Sequence, residues 1–418
     1  MRIVHAADIH LDTPYVRHED SLRRRLQDAG RESFSRLVEL TLDEKADALL
    51  IAGDLFDNEW LTIATERVLT DELHRLTESN VTVVYVTGNH DPGRANYRAA
   101  QIDWPGQGFH IISGRQPIEI PIERNGQTIG WVVGAGHQTP RDTENLAAGF
   151  PIAPSSEPAV ALLHAHVAGT QTAPEHEPYA PAALADFRGK GYAYWALGHI
   201  HRRQSVLDDP LAAYSGNLQG RSFKEAGAKG ALVVDISANT ATTVRFAPLA
   251  RVRWETLELD ELAEADSISD IKAIARSAFS ELAESSDDVL PDQEWILRFE
   301  LRGRCPMVET LRREDERADL AEYLRDALDV LDIEVLDGGL HRLLELSDHR
   351  GQQHVLSVAL DLLDQARNNE EVLRRIKPEV LANSDAFGSD EEMLNYLRGF
   401  IEGMDEAVAE ALLRDTRP

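Results

Sequence analysis

Short apolar runs, rich in β-branched residues and bounded by polar ones, recur along the first 260 positions and read as buried strands rather than helices. Met1 to Ala7, Asp47 to Ala52 and Val81 to Val86 are the first three. Between them, Ser21 to Lys45 and Thr62 to Ser79 read as helices, the second with Ala64, Val68, Leu69, Leu73 and Leu76 at helical spacing. Strand, helix, strand, helix, strand in this order predicts a parallel sheet with right-handed crossovers. From Phe109 to Ala135 short alternating strands follow, with Asn125-Gly126 as a hairpin turn. Further strands are expected at Ala159 to Leu163, Tyr192 to Leu197, Leu211 to Tyr214, Ala231 to Ile236, Ala241 to Phe246 and Arg253 to Leu257. So many strands with few helices between them predict a second sheet stacked on the first.

The pattern changes after Leu262. Helices at Ser267 to Ser285 and Arg317 to Leu328 alternate with strands at Glu294 to Leu301 and Leu331 to Leu336, which suits a small α/β domain. From Gln352 onward, Leu356, Leu360, Leu363, Leu373, Ile376, Leu394, Leu397 and Ile401 mark an all-helical tail. The expected organisation is therefore residues 1–260, 261–344 and 345–418. No repeat, low-complexity stretch or long disordered linker interrupts it.

Composition narrows the function. With 418 residues the chain is long enough for two or three domains. Its single cysteine, Cys305, excludes an internal disulfide and a zinc-thiolate cluster and suits a reducing cytosol. No apolar run is long enough to span a membrane, and Met1 to His5 reads as a strand rather than a signal peptide, so a cytoplasmic protein is expected. The formal charge of -29 argues against unaided binding to a polyanion. Its distribution is uneven: 34 acidic against 25 basic residues in 1–260 give -9, and 38 against 18 in 261–418 give -20.

Five of the predicted strands end in metal-type residues. These are Asp8-Ile9-His10, Gly53-Asp54, Gly88-Asn89-His90-Asp91, His164-Ala165-His166 and Gly198-His199-Ile200-His201. A one-residue gap puts Asp8 and His10 on the same side of an extended backbone, where a carboxylate and an imidazole can share a cation. Carboxyl ends of strands are also where ligand sites of open α/β sheets lie. Oxygen and nitrogen donors without thiolate suit Mn²⁺, Fe²⁺ or Zn²⁺. A shared carboxylate, for which Asp54 is the candidate, can hold two such ions about 3.5 to 4 Å apart and clamp a phosphate.

Taken together, these motifs resemble the calcineurin-like metallophosphoesterases, in sequence order and throughout. Gly53-Asp54-Leu55-Phe56-Asp57, Ala196 to His201 and Tyr214-Ser215-Gly216-Asn217 look like the SbcD-type DNA repair nucleases, and Gly216 to Phe223, continuing to Gly230, looks like their YhaO branch. The resemblance is specific over residues 1 to about 250. It implies a four-layer αββα sandwich with a small α/β capping domain and a helical C-terminal segment. It also implies one metal held by Asp8, His10, Asp54 and His201 and a second by Asp54, Asn89, His164 and His199, with Mn²⁺ the expected ion. His90 would face the scissile phosphate. His166 is a second candidate at the fourth motif, His164 being preferred because it is nearer the strand end; Asp57 stands where some relatives carry histidine. Arg202, Arg203 and Arg221 are candidates to offset the acidic field around a DNA substrate.

The implied activity is exonuclease or endonuclease action at DNA ends in double-strand break repair. The implied partners are an SbcC-like coiled-coil ATPase, docked by residues 345–418, and a second copy of the chain. A phosphomonoesterase or phosphodiesterase on a nucleotide or lipid is the first rival. The protein phosphatases of the superfamily carry an arginine after the second aspartate of the second motif, where this chain has Asn58-Glu59. A non-catalytic module that recruits a partner to DNA ends is the second rival, disfavoured because all eight site residues are present.

Overall fold

Aliphatic and β-branched residues buried on both faces are what parallel central strands require, and β1 (Arg2–Ala6), β2 (Ala48–Ala52) and β3 (Thr82–Val86) meet that demand, with β2 buried throughout. The computed structural model describes every residue except 58–60, 94–101, 155–156, 171–178, 209–210, 238–240, 286–287, 343–353, 376–389 and 415–418. In it β1, β2, β3 and β4 (Phe109–Ile112) run parallel, joined by α1 (Asp20–Asp43) after β1 and α2 (Ile63–Glu78) after β2. Thr62 caps α2 by accepting the Thr65 N–H, which satisfies one of the orphan donors of the first turn. On the other side of β1, β11 (Gly230–Asp235) and β12 (Thr243–Pro248) add antiparallel strands, completing a six-stranded sheet ordered β12-β11-β1-β2-β3-β4.

The second six-stranded sheet has the order β5-β6-β7-β8-β10-β9. It comprises β5 (Ile118–Arg124), β6 (Gln127–Ala135), β7 (Ala159–His164), β8 (Tyr194–Gly198), β9 (Gln204–Asp208) and β10 (Leu211–Tyr214). The β5–β6 hairpin turns at Asn125-Gly126, both with positive φ, as a two-residue primed turn demands.

Side chains that alternate along each strand build three apolar layers. Leu49, Ile51, Val83 and Tyr85 pack against Phe34, Leu37, Leu69 and Leu73 of the two helices. Their neighbours Leu50, Val84 and Ile3 face Val132, Val160, Leu162 and Ala196 of the second sheet. The far side of that sheet, with Val133, Leu163, Trp195 and Leu197, is covered by Leu146, Phe150 and Phe187. The sandwich is the one expected. Its fourth layer is built, among the described residues, from the 3-10 turns Ala147–Gly149 and Leu184–Phe187 and the chain around them, not from α-helices.

The chain separates into two compact units, 1–256 with 283–297 and 330–332, and 257–282 with 298–329 and 333–418. A three-stranded sheet is made of β13 (Val252–Leu259), β14 (Glu294–Arg304) and β15 (Asp332–His341). The second unit holds most of α3 (Ile268–Ser285) and all of α4 (Val308–Leu311) and α5 (Glu314–Leu328). Its tail is helical, with α6 (Val355–Asn368), α7 (Glu370–Arg375), α8 (Asp390–Ile401) and α9 (Met404–Arg414). Leu373, Met393, Leu394, Leu397 and Ile401 bury one another there, and Leu356 and Leu360 close on Ala409. Tail residues before α6 and those between α7 and α8, Ile376 among them, lie outside the described residues.

Candidate metal centre

The loops after β1 and β2 are zipped together by their backbones. The N–H groups of Asp8, His10 and Leu11 donate to the carbonyls of Gly53, Asp54 and Leu55 at 3.1, 3.0 and 3.0 Å. Asp8, His10, Asp54 and His199 all adopt positive φ, at 50°, 49°, 51° and 105°. The extended backbone expected at Asp8 and His10 is therefore replaced by a left-handed turn, and the two side chains converge through it. Left-handed backbone costs a residue with a Cβ roughly 1–2 kcal/mol, and such strain persists only where the surroundings over-determine it. Two glycines allow the close approach: a Cβ on Gly53 would lie 2.3 Å from His164 Nδ1, and one on Gly88 would lie 2.2 Å from Asp54 Oδ1.

Two nests of donor atoms result, beside a third group made of His10, Asp57 and His90. In the first, Asp8, His10 and His201 bring their ligand atoms within 4.8 Å of one another. His10 Nε2 faces His201 Nε2 at 3.2 Å, and His201 Nε2 lies 3.8 Å from Asp8 Oδ1. In the second, Asp8, Asp54 and His164 do the same. There His164 Nε2 is 2.9 Å from Asn89 Oδ1 and 3.4 Å from Asp54 Oδ2, and Asn89 Oδ1 is 3.2 Å from His199 Nδ1. Asp54 Oδ2 also lies 3.9 Å from His10 Nε2, so a single carboxylate oxygen reaches a histidine of each nest. Asp8 receives the His199 N–H on both its oxygens at 3.1 Å.

The second nitrogens explain why these rings face one another. His10 Nδ1 meets Asp57 Oδ1 at 3.1 Å, His201 Nδ1 meets Glu225 Oε1 at 2.8 Å, and His164 Nδ1 meets the Ala52 carbonyl at 2.9 Å. For His10 and His164 the neighbour is an acceptor, so Nδ1 carries the hydrogen and Nε2 a lone pair, while His201 Nδ1 also lies 3.1 Å from a donor, Arg221 Nη2. Lone pairs of nitrogen and oxygen then converge with no proton between them. A divalent cation is the partner that such a donor set fits.

Charge states agree. Burial pushes His10 down to about 3 and His164 to about 4 and lowers His201, so all three are neutral at pH 7, as ligands must be. Burial acts to raise Asp54, but His164, His90 and His10 hold it below the usual carboxylate range. Asp8 is driven up by burial and by the neighbouring charge of Asp54. His90 behaves oppositely to the other rings. Burial acts to lower it, yet Asp54 and the hydrogen bond to Asp57 raise it to about 9. Its backbone N–H donates to Asp54 Oδ1 at 2.9 Å, its Nδ1 lies 3.1 Å from Asp57 Oδ1, and its side chain is 40% exposed.

Of the residues predicted from sequence, Asp8, His10, Asp54, Asn89, His90, His164, His199 and His201 are all brought to this one place. His166 is a member of none of the donor groups, and its ring lies 6.0 Å from that of His199. Arg202 is exposed on the same loop, and Arg203 stacks on Phe246. Arg221 is committed within the protein: it pairs with Glu225 at 2.8 Å and Asp57 at 3.3 Å. Asn58 and Glu59 lie outside the described residues.

Three supporting carboxylates escaped the sequence reading as site residues. Asp57 serves both His10 and His90, and Glu225 serves His201. Asp91 accepts from Gly88 N (2.6 Å), Asp54 N (3.2 Å), Leu55 N (2.5 Å) and the Tyr85 hydroxyl (2.5 Å), bolting the Asn89 loop to the Asp54 loop. Asp57 and Asp91 stand inside the motifs and could have been read from them. Glu225, 24 positions beyond His201, left no local signal. His137 is buried and donates from Nε2 to the His164 carbonyl at 2.8 Å.

The sequence pattern described as calcineurin-like phosphoesterase matches residues 1–203. Coming on top of the sandwich and its paired donor nests, this match and that of the relative below place the chain in one class: it belongs to the calcineurin-like metallophosphoesterases. It is 30% identical over 310 residues to the uncharacterized metallophosphoesterase YhaO of Bacillus subtilis (strain 168), a stretch covering 73% of this chain and 72% of that one. Among solved structures it is similar to TT1561 of Thermus thermophilus, at 13% identity and a TM-score of 0.35, covering 59% of this chain and 98% of that one. It is also similar to a dimetal phosphatase of Danio rerio, at 11% identity and a TM-score of 0.36, covering 58% and 98%. Among the described residues no helix is long and apolar enough to cross a membrane.

Proposed function

We propose that the chain is a phosphodiesterase working with two divalent ions, Mn²⁺ before Fe²⁺ or Zn²⁺, and that its substrate is DNA at broken ends. The carrying observation is the pair of nests that share Asp8 and are joined through Asp54 Oδ2, with imidazole Nε2 atoms turned inward and His90 beside them. Asp8, His10, Asp54 and His201 would hold one ion, and Asp54, Asn89, His164 and His199 the other. Bound there, the ions would offset charge on the phosphoryl oxygens and make water a competent nucleophile near neutral pH.

The protein's own contribution is orientation and a proton. His90, anchored through its backbone to Asp54 and through Nδ1 to Asp57, keeps Nε2–H for a phosphoryl oxygen or the departing 3′ oxygen. The DNA substrate is supported by the SbcD-type stretches around Asp57, His201 and Asn217. Against the net charge of -29, DNA contacts are local and sharply salt-dependent, with Arg202 and Arg203 on the exposed loop. An SbcC-like ATPase is the proposed partner of residues 345–418 in the cytoplasm, and a second copy of the chain is a further one. Deleting 345–418 should then abolish co-purification with the ATPase and spare hydrolysis.

The deciding experiment compares a bis-nitrophenyl phosphodiester, the corresponding monoester and linear duplex DNA with Mn²⁺ on one preparation. Turnover of the diester and of DNA ends is expected. Preference for the monoester would point to a phosphatase, and no turnover of any substrate to a recruitment module.

A further inference from the structure

We infer that Glu225 is a positioning residue that selects the tautomer of His201 and thereby decides whether that ring can bind a cation through Nε2; the inference rests on the two-metal reading above. His201 Nδ1 has two neighbours with opposite demands. Glu225 Oε1, at 2.8 Å, only accepts and requires an Nδ1–H. Arg221 Nη2, at 3.1 Å, only donates and requires a bare Nδ1. One arrangement resolves the conflict, because Arg221 Nη2 also donates to Glu225 Oε1 at 2.8 Å. Imidazole and guanidinium then both point their hydrogens at the same carboxylate oxygen. His201 Nε2 is left with its lone pair toward His10 Nε2 and Asp8 Oδ1. In the opposite arrangement Nε2 would carry the hydrogen, and the ring would be lost as a ligand.

Glu225 is itself held for this task. Its Oε2 accepts from Asn217 Nδ2 at 2.8 Å and from the Arg221 backbone N–H at 2.9 Å, which leaves Oε1 for the ring. Lys229 Nζ donates to the His201 carbonyl at 2.9 Å, so the segment from Asn217 to Lys229 grips His201 at both ring and backbone. Arg221 is accordingly half of a clamp: it steadies Glu225 and becomes the wrong partner for His201 once Glu225 is gone. Partners of this kind, which orient a ligand without touching the metal, are worth about 10- to 100-fold in affinity.

The test uses the full chain and Mn²⁺ alone. Glu225→Met removes the acceptor while keeping the side-chain length, and leaves Arg221 as the nearest group to Nδ1. One of the two Mn²⁺ sites should then weaken by about 10- to 100-fold, the other staying as in the wild type. Long-range proton–nitrogen spectra of the imidazoles should show His201 passing from Nδ1–H to Nε2–H. Adding Arg221→Met to Glu225→Met removes the competing donor and should restore most of the lost affinity, an outcome that a merely structural role for Glu225 would not produce. A wild type that binds fewer than two Mn²⁺ sinks the two-metal reading, and the inference is then decided by the imidazole spectrum alone. Should Glu225→Met fail to fold, the wild-type spectrum and the double variant decide. An Nε2–H ring in the wild type, an unchanged tautomer or unchanged Mn²⁺ affinity in Glu225→Met, or no recovery in the double variant overturns the assignment of Glu225.

Discussion

The two nests hold their imidazoles by different means. In the first, His10 and His201 hand Nδ1 to side chains, Asp57 and Glu225; in the second, His164 hands it to the carbonyl of Ala52 at the end of a buried strand. A carboxylate can be removed by one substitution, whereas a strand carbonyl cannot. The first nest also has a guanidinium, Arg221, among its supports, and the His201 side chain is 13% exposed where that of His164 is fully buried. The second nest is thus tied to the fold itself, and the first is where single substitutions can tune the centre.

The largest effect should erase this contrast. Asp54 Oδ2 reaches a histidine of each nest, so Asp54→Ala should lose both ions, while His10→Ala should lose mainly one. Metal content by mass spectrometry checks this, and equal content in wild type and Asp54→Ala would break the scheme. Next comes His90, which belongs to neither nest as a ligand. His90→Asn should keep both ions and near-normal DNA affinity while single-turnover rates fall by about 10²- to 10⁴-fold, the usual worth of positioned acid catalysis. A lost ion, or a wild-type rate, would mean that His90 has another role.

Asp57→Asn sharpens the comparison from one side. It should weaken the His10 ion by about 10- to 100-fold, leave the His164 ion in place, and remove part of the support of His90. Calorimetric Mn²⁺ titration separates these sites, and equal weakening of both would show that the nests are not independent.

The smallest effect concerns a histidine in neither nest. His5 is buried between the sheets with Nδ1 against the Tyr194 hydroxyl, and burial pushes it down to about 3. The unfolded chain takes up that proton near 6.5 and the folded chain refuses it, so the contribution to stability is complete above pH 6.5 and is lost as pH falls toward 3. Between pH 7 and 5.5 the loss is about 1 kcal/mol for this one group. Urea unfolding of wild type and His5→Phe at the two pH values should show the difference, with or without Mn²⁺; identical pH slopes would remove His5 from the account.

Much of this was legible in the order of residues. Runs such as Leu49-Leu50-Ile51 announce strands buried on both faces, and Asp8, Asp54, Asn89, His164 and His199 follow such runs, so parallel pairing brings the first three to one edge of the first sheet and the last two to one edge of the second. What stayed hidden depends on long-range contact or on backbone shape. Nothing at Asp8 or His10 signals a left-handed turn, because residues with a Cβ adopt it only when the Asp54 loop holds them there. Glu225 and Arg221 show their roles only when the chain brings them to His201. The outer layer on the second sheet lacks helical periodicity because short turns, packed through Leu146, Phe150 and Phe187, suffice to cover it.

The span of the centre along the chain has a consequence for its biogenesis. Asp8 leaves the ribosome first, yet its donor His199, its neighbour His201 and that ring's anchor Glu225 are all made later, as is β11, which flanks β1. At ordinary rates of translation the interval between Asp8 and Glu225 is roughly 10 to 40 s. During it the nascent chain displays carboxylates and imidazoles without a place to gather them. Gathering of the donor nests is therefore a late event in the life of each new molecule, waiting on the emergence of β11 beside the oldest strand.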